Sequence, residues 1–453
     1  MSNKLPVRDS FSSKFGVIAA AAGSAVGLGN IWRFPYVAGE NGGGAFLLIY
    51  IIFISVIGVS VMLSEFAIGR KAQRNVFGSF KKLAPGKPWF LVGFMGVVAA
   101  FVILSFYSAV AGWTLEYTYN SLMNSFQGKN PAEIESMFDN FRANSWRPAM
   151  WLLLFMIVTA LIVWAGVKNG IERYARVLMP VLFLLIIILG IRSITLDGAM
   201  EGLKFLFKPD FSKLSTNSIL EALGQAFFSL SIGMGALITY GSYISKKENL
   251  SLSAIQVTFT DAVVAILAGI AIFPAVFAFG IEPGSGPGLV FVTLPNIFIQ
   301  MPGGYFFAVL FFTLLIVAAL TSSISVLEVV VAYFSEEFNI SRSKATVLGS
   351  VTITALGLVC AMSWGATKTW TIFGLTTFEC MDWLSANLLL PLGGFFIVIF
   401  VGWVLGAEKM KDEISNQGQL NVRLFAFYDF IVKFIAPIAI AIVFMDSIGL
   451  LNL

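Results

Sequence analysis

The sequence predicts an all-α polytopic membrane protein with eleven transmembrane helices. Of its 453 residues, 58% are hydrophobic and only 12% are charged, a balance that cannot form an ordinary soluble surface. Apolar segments on the order of 20 residues, the length that crosses a bilayer, recur along the chain. We number them spans 1 to 11, at residues 14–37, 43–69, 88–122, 148–166, 172–194, 218–243, 254–280, 303–334, 345–362, 372–403 and 427–450. The loops between them are too short for a soluble domain, so residues 1–453 are expected to form one transmembrane domain.

Span 1 is interrupted by a stretch that is unusual for a membrane helix. Residues 23–35 read GSAVGLGNIWRFP, with three glycines, an amide, a cation and a proline. Lipid offers no water to freed backbone groups, so irregular backbone at this depth survives only where it faces protein or a polar cavity. Glycines can also serve close helix packing, but packing does not call for Asn30 and Arg33. We therefore expect a broken helix that lines a site.

Span 6 carries a second interruption, five spans after the first. Residues 228–235 read FSLSIGMG, in which small and hydroxyl side chains again crowd a membrane segment. Two broken helices in corresponding positions indicate an inverted repeat with a transport site near the bilayer midplane. We expect repeat one at about 11–194, repeat two at about 218–403 and an extra helix at about 427–450.

Basic residues are distributed unequally between the two sides of the predicted domain. With the amino terminus inside, 19 of the 29 Lys and Arg residues fall in inner segments, and positively charged loops stay in the cytoplasm. We expect a protein of the cell inner (plasma) membrane with a cytoplasmic amino terminus and an extracytoplasmic carboxyl terminus. The net charge of +4 is spread over short loops, so the expected partner is the lipid bilayer and not nucleic acid.

The residue types argue against several kinds of chemistry. The chain has no histidine, and Cys360 and Cys380 show no CxxC spacing, so ligands for structural zinc or haem are lacking. No nucleophile and base are evident among the membrane residues, and we do not expect an enzyme. The first ten residues are polar and do not resemble a removable signal peptide. The glycine- and proline-rich outer loop at 281–303 is expected to carry a short helix near 290–299 over the entrance.

Four motifs together resemble one family of transporters. They are the string at 23–35 with ENGGGAF at 40–46, WTL at 113–115, GQAFFSLS at 224–231 and LTSS at 320–323. In this order they are similar to the neurotransmitter:sodium symporter (SNF) family, and eleven spans resemble its bacterial transporters of several hydrophobic amino acids. The resemblance implies a leucine-transporter-type 5+5 inverted repeat with broken helices 1 and 6, which rocks around a central site. The implied activity is sodium-coupled import of hydrophobic L-amino acids, with no obligatory protein partner. An amino-acid-binding sensor on the same fold is the alternative.

The resemblance also implies two sodium ions, which suit main-chain carbonyl, hydroxyl, amide and carboxylate oxygens. The ligands of sodium site 1 would be Ala25, Asn30, Ser229 and Asp261, completed by the substrate carboxylate. The ligands of sodium site 2 would be Gly23, Val26, Ala318, Thr321 and Ser322.

Asp261 departs from the asparagine that is commoner in the family at this position. Chloride-dependent members resemble the chain at Tyr50, Gln225 and Ser229, but Ala265 stands where they offer a further hydroxyl. A fixed carboxylate beside sodium can replace the electrostatic role of bound chloride. We therefore expect no chloride requirement. An Asp261 left without its cation could instead take up a proton, which leaves proton counter-transport open.

The implied substrate site suits a zwitterionic amino acid with an apolar side chain. The N–H groups of Leu28 and Gly29 with the Tyr107 hydroxyl would bind the carboxylate. The ammonium would donate to carbonyls and a hydroxyl of Ala25, Phe228, Ser229 and Ser231. The side-chain pocket would consist of Ile103, Tyr107, Phe228, Met234, Ser322 and Val326. Met234 is unbranched and adaptable, so the pocket is expected to accept tryptophan, phenylalanine and tyrosine as well as leucine.

Gates are proposed on the same resemblance. Arg33 and Asp382 would form an outer pair, and Arg8 and Glu336 an inner pair supported by Tyr243. Partly solvated pairs of this kind are only modestly stabilising and can separate. The membrane acids Glu65 and Glu328 could bind ions or be satisfied by freed backbone N–H groups.

Gly170 and Pro180 bracket nine residues at the start of span 5. They resemble a Gly-X9-Pro motif that lets this helix unwind and admit water to sodium site 2. Glycine and proline both weaken a helix. A static kink at the proline is the alternative.

Overall fold

The computed structural model describes residues 9–281 and 288–451. In this part of the chain all eleven predicted spans are helical. Their observed bounds are Lys14–Ala25 with Gly29–Glu40, Gly44–Ala72, Phe90–Leu122, Arg147–Trp164, Val167–Ile194, Thr216–Ser229 with Ala236–Gly241, Leu250–Ala278, Gly304–Glu337, Arg342–Ala361, Thr377–Leu405 and Phe425–Ser447. Most ends lie within a few residues of those expected.

The number of crossings depends on the two broken helices. Within the described ranges, nine helices are long and apolar enough to cross a membrane, and span 1 makes a tenth as a pair bent by 49°. The two halves of span 6 have 14 and 6 residues, and each is too short to cross alone. The predicted eleven crossings are reached when span 6 is taken as one broken helix.

The connections contain structure that the sequence did not predict. The long loops at 123–147 and 195–217 hold the helices Pro131–Ala143 and Ala199–Phe207 and the short 3₁₀ turn Phe211–Lys213. Further helices lie at Val76–Leu83 and Ala407–Ile414. The helix expected near 290–299 is present as Leu289–Gln300, whereas most of the loop before it falls outside the described residues.

Span 10 begins later than predicted. Residues 371–376 form a two-stranded antiparallel hairpin, Thr371–Ile372 with Leu375–Thr376, instead of the first turns of the helix. Thr376 then caps the helix, because its side chain accepts from the Glu379 N–H while Glu379 bonds back to the cap. The apolar run at 372–376 was therefore mistaken for helix.

The spans differ in how far they are buried within the protein. In the most apolar 18-residue window of each helix, 72% of span 8 and 67% of span 3 are buried, against 39% for span 5 and 33% for span 11. Spans 3 and 8 flank the broken helices, whereas span 11 faces outward to a greater degree. The interruptions therefore lie in the interior of the bundle, where protein can satisfy their freed backbone groups.

Candidate functional site

The break in span 1 is short and is set by steric contacts. The first half ends at Ala25, Val26 turns to an extended conformation, and helix resumes at Gly29. A side chain at position 27 would collide with the Ser322 hydroxyl and meet the Tyr107 hydroxyl at 3.0 Å. Glycine at this position therefore lets spans 3 and 8 approach the unwound backbone closely.

The break in span 6 is longer and uses left-handed backbone. Three of its residues have positive φ, with Ser231 at 55°, Gly233 at 88° and Gly235 at 78°. The Gly233 N–H donates to Glu65 Oε1 at 2.8 Å, and Glu65 is fully buried. Of the two alternatives for Glu65, this contact favours satisfaction by a freed backbone N–H group.

The side chains assigned to sodium site 1 meet around a buried carboxylate. Asp261 is 0% exposed, and its two oxygens accept from Asn30 Nδ2 at 2.8 Å and from the Tyr50 hydroxyl at 2.9 Å. The Ser229 hydroxyl lies 2.8 and 2.9 Å from the same two oxygens. A carboxylate with charge-assisted hydrogen bonds from three side chains is held in a fixed position. The arrangement places one buried acidic group against the break in span 1.

Asn30 also stabilises the broken segment of its own helix. Its side-chain oxygen accepts from the Gly27 N–H at 3.2 Å while its nitrogen faces Asp261. Gln225 Nε2 donates to the Gly29 carbonyl at 2.9 Å from span 6. The two broken helices are thus joined by side chains that bond the freed backbone, and this linkage positions Asn30 beside Asp261.

The residues assigned to sodium site 2 converge without any charged group among them. The Thr321 hydroxyl lies 3.3 Å from the Val26 carbonyl oxygen and 3.0 Å from that of Ala318. The Ser322 hydroxyl lies 3.5 Å from the Gly23 carbonyl oxygen and 3.3 Å from that of Val26. Five neutral oxygens therefore gather between spans 1 and 8, a donor set that suits a hard cation.

Nine of the eleven residues assigned to the substrate site line one small cavity, and Leu28 and Ser229 are the two that do not. Its lining comprises Ser24, Ala25, Gly27, Gly29, Ile103, Leu104, Tyr107, Phe228, Ser231, Met234, Ser322 and Val326. Leu28 N–H donates to the Tyr107 hydroxyl at 3.1 Å, and the Ser231 hydroxyl donates to the Ser24 carbonyl at 2.8 Å. The cavity measures about 30 Å³, room for no more than a few water molecules. An amino acid can enter only if the lining side chains move apart.

Ser24 lines the cavity but was not among the residues assigned to the substrate site. Its hydroxyl is buried and has no hydrogen-bond partner among the described residues. A buried hydroxyl without a partner is costly, and this one borders the cavity. A serine inside the glycine-rich break was the available signal.

The outer gate pair is not in direct contact. Among the described residues no ion pair within 4 Å joins Arg33 and Asp382, although the two charges interact. The Arg33 guanidinium lies over the Phe228 ring at 4.6 Å from its centroid. Arg33 also lines an outer cavity of about 300 Å³ with Glu40 and Glu221.

The residues assigned to the inner gate contact others that the sequence did not single out. Arg8 falls outside the described residues, and Glu336 accepts from the Asn75 backbone and side chain at 3.0 Å each. Tyr243 donates to Glu328 at 2.6 Å, and Arg342 binds both Glu328 oxygens at 2.9 and 2.5 Å.

The expectation for Glu328 is thereby corrected. Its carboxylate is neither satisfied by backbone N–H groups nor placed to bind an ion, because the Arg342 guanidinium occupies it in a bidentate pair. Such a pair gives both charge compensation and a fixed geometry.

The start of span 5 is tied to the segment that precedes span 1. Glu172 accepts from the Ser12 N–H at 2.7 Å and from the Ser12 and Ser13 hydroxyls at 2.7 and 3.0 Å. Gly170 lies in a π-helical turn, Val167–Glu172, and Pro180 lies inside the helix that follows. A side chain at Gly170 would collide with the Ile162 carbonyl oxygen, so this glycine has a packing role as well.

Fold and site together define a membrane transporter with two broken helices around a central site. The family model for the sodium:neurotransmitter symporter family matches residues 8–130 and 124–452. The chain belongs to this family, whose members are transporters and not enzymes, and it is a sodium-dependent symporter.

Similar proteins span the whole chain. It is 42% identical over 452 residues to the uncharacterized sodium-dependent transporter YhdH of Bacillus subtilis, covering 100% of both chains. It is 40% identical to an uncharacterized sodium-dependent transporter of Haemophilus influenzae, covering 97% of this chain and 98% of the other. The crystal structure of MhsT in complex with L-phenylalanine matches with a TM-score of 0.90 and 49% identity, covering 97% of this chain and 100% of that one. The leucine-transporter-type fold expected from the sequence is confirmed by this match.

Proposed function

We propose that the protein imports hydrophobic L-amino acids, both aromatic and branched aliphatic, together with sodium and without a requirement for chloride. Tryptophan and leucine represent the two substrate classes. The observation that carries this proposal is the buried Asp261 carboxylate, held by Asn30, Ser229 and Tyr50 beside the break in span 1. A resident anion at this point supplies the negative charge that a bound chloride would otherwise provide.

The apolar lining of the central cavity supports the choice of substrate. Ile103, Met234 and Val326 contribute aliphatic and thioether surface, and no charged residue lines the cavity among the described residues. Burying such surface against an apolar side chain is favourable. The similar protein MhsT was solved with L-phenylalanine, which agrees with this class. The substrate carboxylate would bind the N–H groups of Leu28 and Gly29 and the Tyr107 hydroxyl. The ammonium would donate to the carbonyls of Ala25, Phe228 and Ser229 and to the Ser231 hydroxyl.

Coupling follows if sodium binds at both proposed sites. One ion would use Ala25, Asn30, Ser229 and Asp261 together with the substrate carboxylate, so that ion and substrate stabilise each other directly. The other would use Gly23, Val26, Ala318, Thr321 and Ser322 and thereby join the first span to the eighth. Because both sites include the broken part of span 1, their occupancy would bias the position of that helix.

Alternating access would then proceed by rocking of a bundle of helices against a scaffold around the central site, with the amino terminus in the cytoplasm. Arg33 with Asp382 would close the outer side and Arg8 with Glu336 the inner side. Partly solvated ion pairs are only modestly stabilising, so each pair can separate in one half of the cycle.

Release of the second ion would begin at the start of span 5. We assign this step to unwinding between Gly170 and Pro180, where the π-helical turn supports a weakened helix. Single cysteines at positions 171–179, in a variant lacking Cys360 and Cys380, should label faster without sodium than with it. Equal labelling in the two conditions would contradict unwinding and favour a static kink.

The proposal is tested by uptake of radiolabelled tryptophan and leucine into proteoliposomes under a sodium gradient. We expect uptake of both that depends on sodium and persists when gluconate replaces chloride. Glutamate and lysine serve as controls that should not be taken up. Sodium-dependent binding without uptake would contradict transport and favour a sensor on the same fold.

Met234 provides a test of side-chain size in the same assay. Met234→Phe should lower tryptophan uptake relative to leucine by about tenfold, since a change of this size in an apolar pocket is worth about 1–3 kcal/mol. Leu104→Met on the same cavity wall is the matched control. An unchanged tryptophan-to-leucine ratio in Met234→Phe would show that Met234 does not limit substrate size.

A further inference from the structure

An apolar groove of about 690 Å³ opens on the outside of the bundle between spans 2, 7 and 11. We call it the span 2–7–11 groove. Its walls include Ile54 and Val59 of span 2, Ile255 and Ile266 of span 7, and Phe425 of span 11. It lies apart from the central site and plays no part in the transport mechanism described above.

The lining of the groove is exposed apolar surface. Ile255 is 52% exposed, Phe259 68% and Phe427 53%. Part of the span 2 wall is the π-helical turn Ile54–Gly58, a local departure from regular helix. Because these residues belong to membrane-spanning helices, the surface meets the hydrocarbon of the bilayer and not water.

One end of the groove is polar and positively charged. Asn249, Asn421 and Arg423 line it there, next to the loop that carries Lys246 and Lys247. Arg423 is exposed and has no ion pair or hydrogen bond in the described part of the chain. Of the two lysines, Lys246 forms an ion pair at 3.9 Å with Glu413, a carboxylate that the buried Arg70 also engages at 2.6 Å.

The groove also contains one small polar side chain along its length. Ser55 lies in the π-helical turn of span 2, and it is exposed toward the groove with no hydrogen bond among the described residues. A small residue here keeps the groove open, and its hydroxyl offers a donor to an ester oxygen.

We propose that the span 2–7–11 groove binds one anionic glycerophospholipid of the cytoplasmic leaflet. An acyl chain lies along the apolar walls, and the phosphate lies on Arg423. The volume falls in the range of small-ligand sites. Unpaired positive charge at the membrane surface attracts anionic headgroups, which decides between an anionic and a zwitterionic lipid.

The span 2–7–11 groove and the proposed sodium site 1 lie on opposite sides of span 7. Ala262 of span 7 lines the groove, and the adjacent Asp261 is buried on the inner side of the same helix. A bound acyl chain therefore packs against the back of the helix that carries the site 1 carboxylate.

The test uses the purified full-length protein, freed of lipid in detergent and titrated with phosphatidylglycerol or phosphatidylcholine of the same acyl chains. Bound lipid is counted by native mass spectrometry. We expect one phosphatidylglycerol to bind at least about tenfold more tightly than phosphatidylcholine. Arg423→Gln should bring the two affinities to within about twofold, because only the headgroup contact is lost. Lys344→Gln, which neutralises another exposed cytoplasmic-side residue, is the matched control and should keep the preference.

Filling the groove tests the acyl-chain contact separately. Ser55→Phe and Ala262→Leu occupy it from opposite walls and should each weaken binding of both lipids. Leu161→Phe on the exposed face of span 4 should not. Two filling variants are used so that the test still stands if one of them misfolds, and the folding of each is checked by gel filtration. Equal binding of the two lipids by the unmodified protein would overturn the proposal. It would also be overturned if Arg423→Gln kept the preference for phosphatidylglycerol, or if both groove-filling variants still bound lipid normally.

Discussion

The proposed sodium sites 1 and 2 share the broken part of span 1 but differ in the charge of their protein groups. Site 1 is organised around the fully buried carboxylate of Asp261. Site 2 offers only main-chain carbonyls and the hydroxyls of Thr321 and Ser322. A cation lost from site 1 leaves a buried charge without compensation, whereas a cation lost from site 2 leaves neutral groups that bond to one another.

This difference predicts an order of events. Site 1 should hold its ion more firmly and release it only with the substrate or in exchange for a proton. Site 2 should empty first. It lies beside span 1, the helix that faces the weakened start of span 5. The following variants test how much of the difference comes from the carboxylate itself.

The largest effect is expected from Asp261→Asn. The variant keeps the size of the side chain and removes the charge. A cation and a carboxylate about 4 Å apart interact by about 4 kcal/mol at an effective dielectric constant of 20. The sodium concentration that gives half-maximal uptake should therefore rise by about a hundredfold or more. Asp429→Asn, on an outward-facing pair with Lys433, is the control. A normal sodium requirement in Asp261→Asn would remove the proposed distinction between the sites.

Tyr50→Phe should have the next largest effect. It removes the 2.9 Å hydrogen bond to the Asp261 carboxylate while Asn30 and Ser229 remain. A hydrogen bond to a charged group is worth about 1.5–3 kcal/mol, so the half-saturating sodium concentration should rise about tenfold. Tyr428→Phe loses a comparable buried bond to Ser64 far from the site and should leave sodium dependence unchanged. If both variants behave alike, the Tyr50 effect is one of general stability.

Thr321→Val should produce a smaller change, because a single neutral oxygen is lost from site 2. With a contribution of about 1 kcal/mol, the half-saturating sodium concentration should rise about fivefold. Thr321→Ser, which retains the hydroxyl, should restore the wild-type value. Thr346→Val removes a buried threonine hydroxyl in span 9 and is the matched control. A larger effect for Thr321→Val than for Asp261→Asn would reverse the proposed ranking of the two sites.

The smallest effect is expected from the removal of chloride. Uptake in gluconate should stay within about twofold of uptake in chloride, because Asp261 already supplies the anion. In Asp261→Asn, chloride should instead stimulate uptake by partly replacing the lost charge. Strong chloride dependence of the unmodified protein would contradict the role assigned to Asp261.

The break in span 1 could be predicted from the sequence, whereas the pairing of Glu328 could not. Glycines, an amide and a proline inside an apolar run predicted the break, since each has a local effect on helix formation. Nothing local predicted the partner of Glu328. Arg342 lies in another span, and the choice between a salt bridge and freed backbone groups depended on how spans 8 and 9 pack.

Composition and the spacing of apolar runs determined by themselves that the chain crosses a membrane many times, and the small and polar residues inside two of these runs determined that its first and sixth spans are broken. These properties depend on the cost of placing polar backbone in lipid, which each segment expresses on its own. Only the tertiary structure decided that Tyr50 and Asn30 hold the Asp261 carboxylate, that Arg33 rests on Phe228 and that Glu172 holds the segment before span 1. Such contacts join residues far apart in the chain. Whether a hydrogen bond or an ion pair forms depends on donor–acceptor distances to within a few tenths of an ångström, and the packing of whole helices sets these distances.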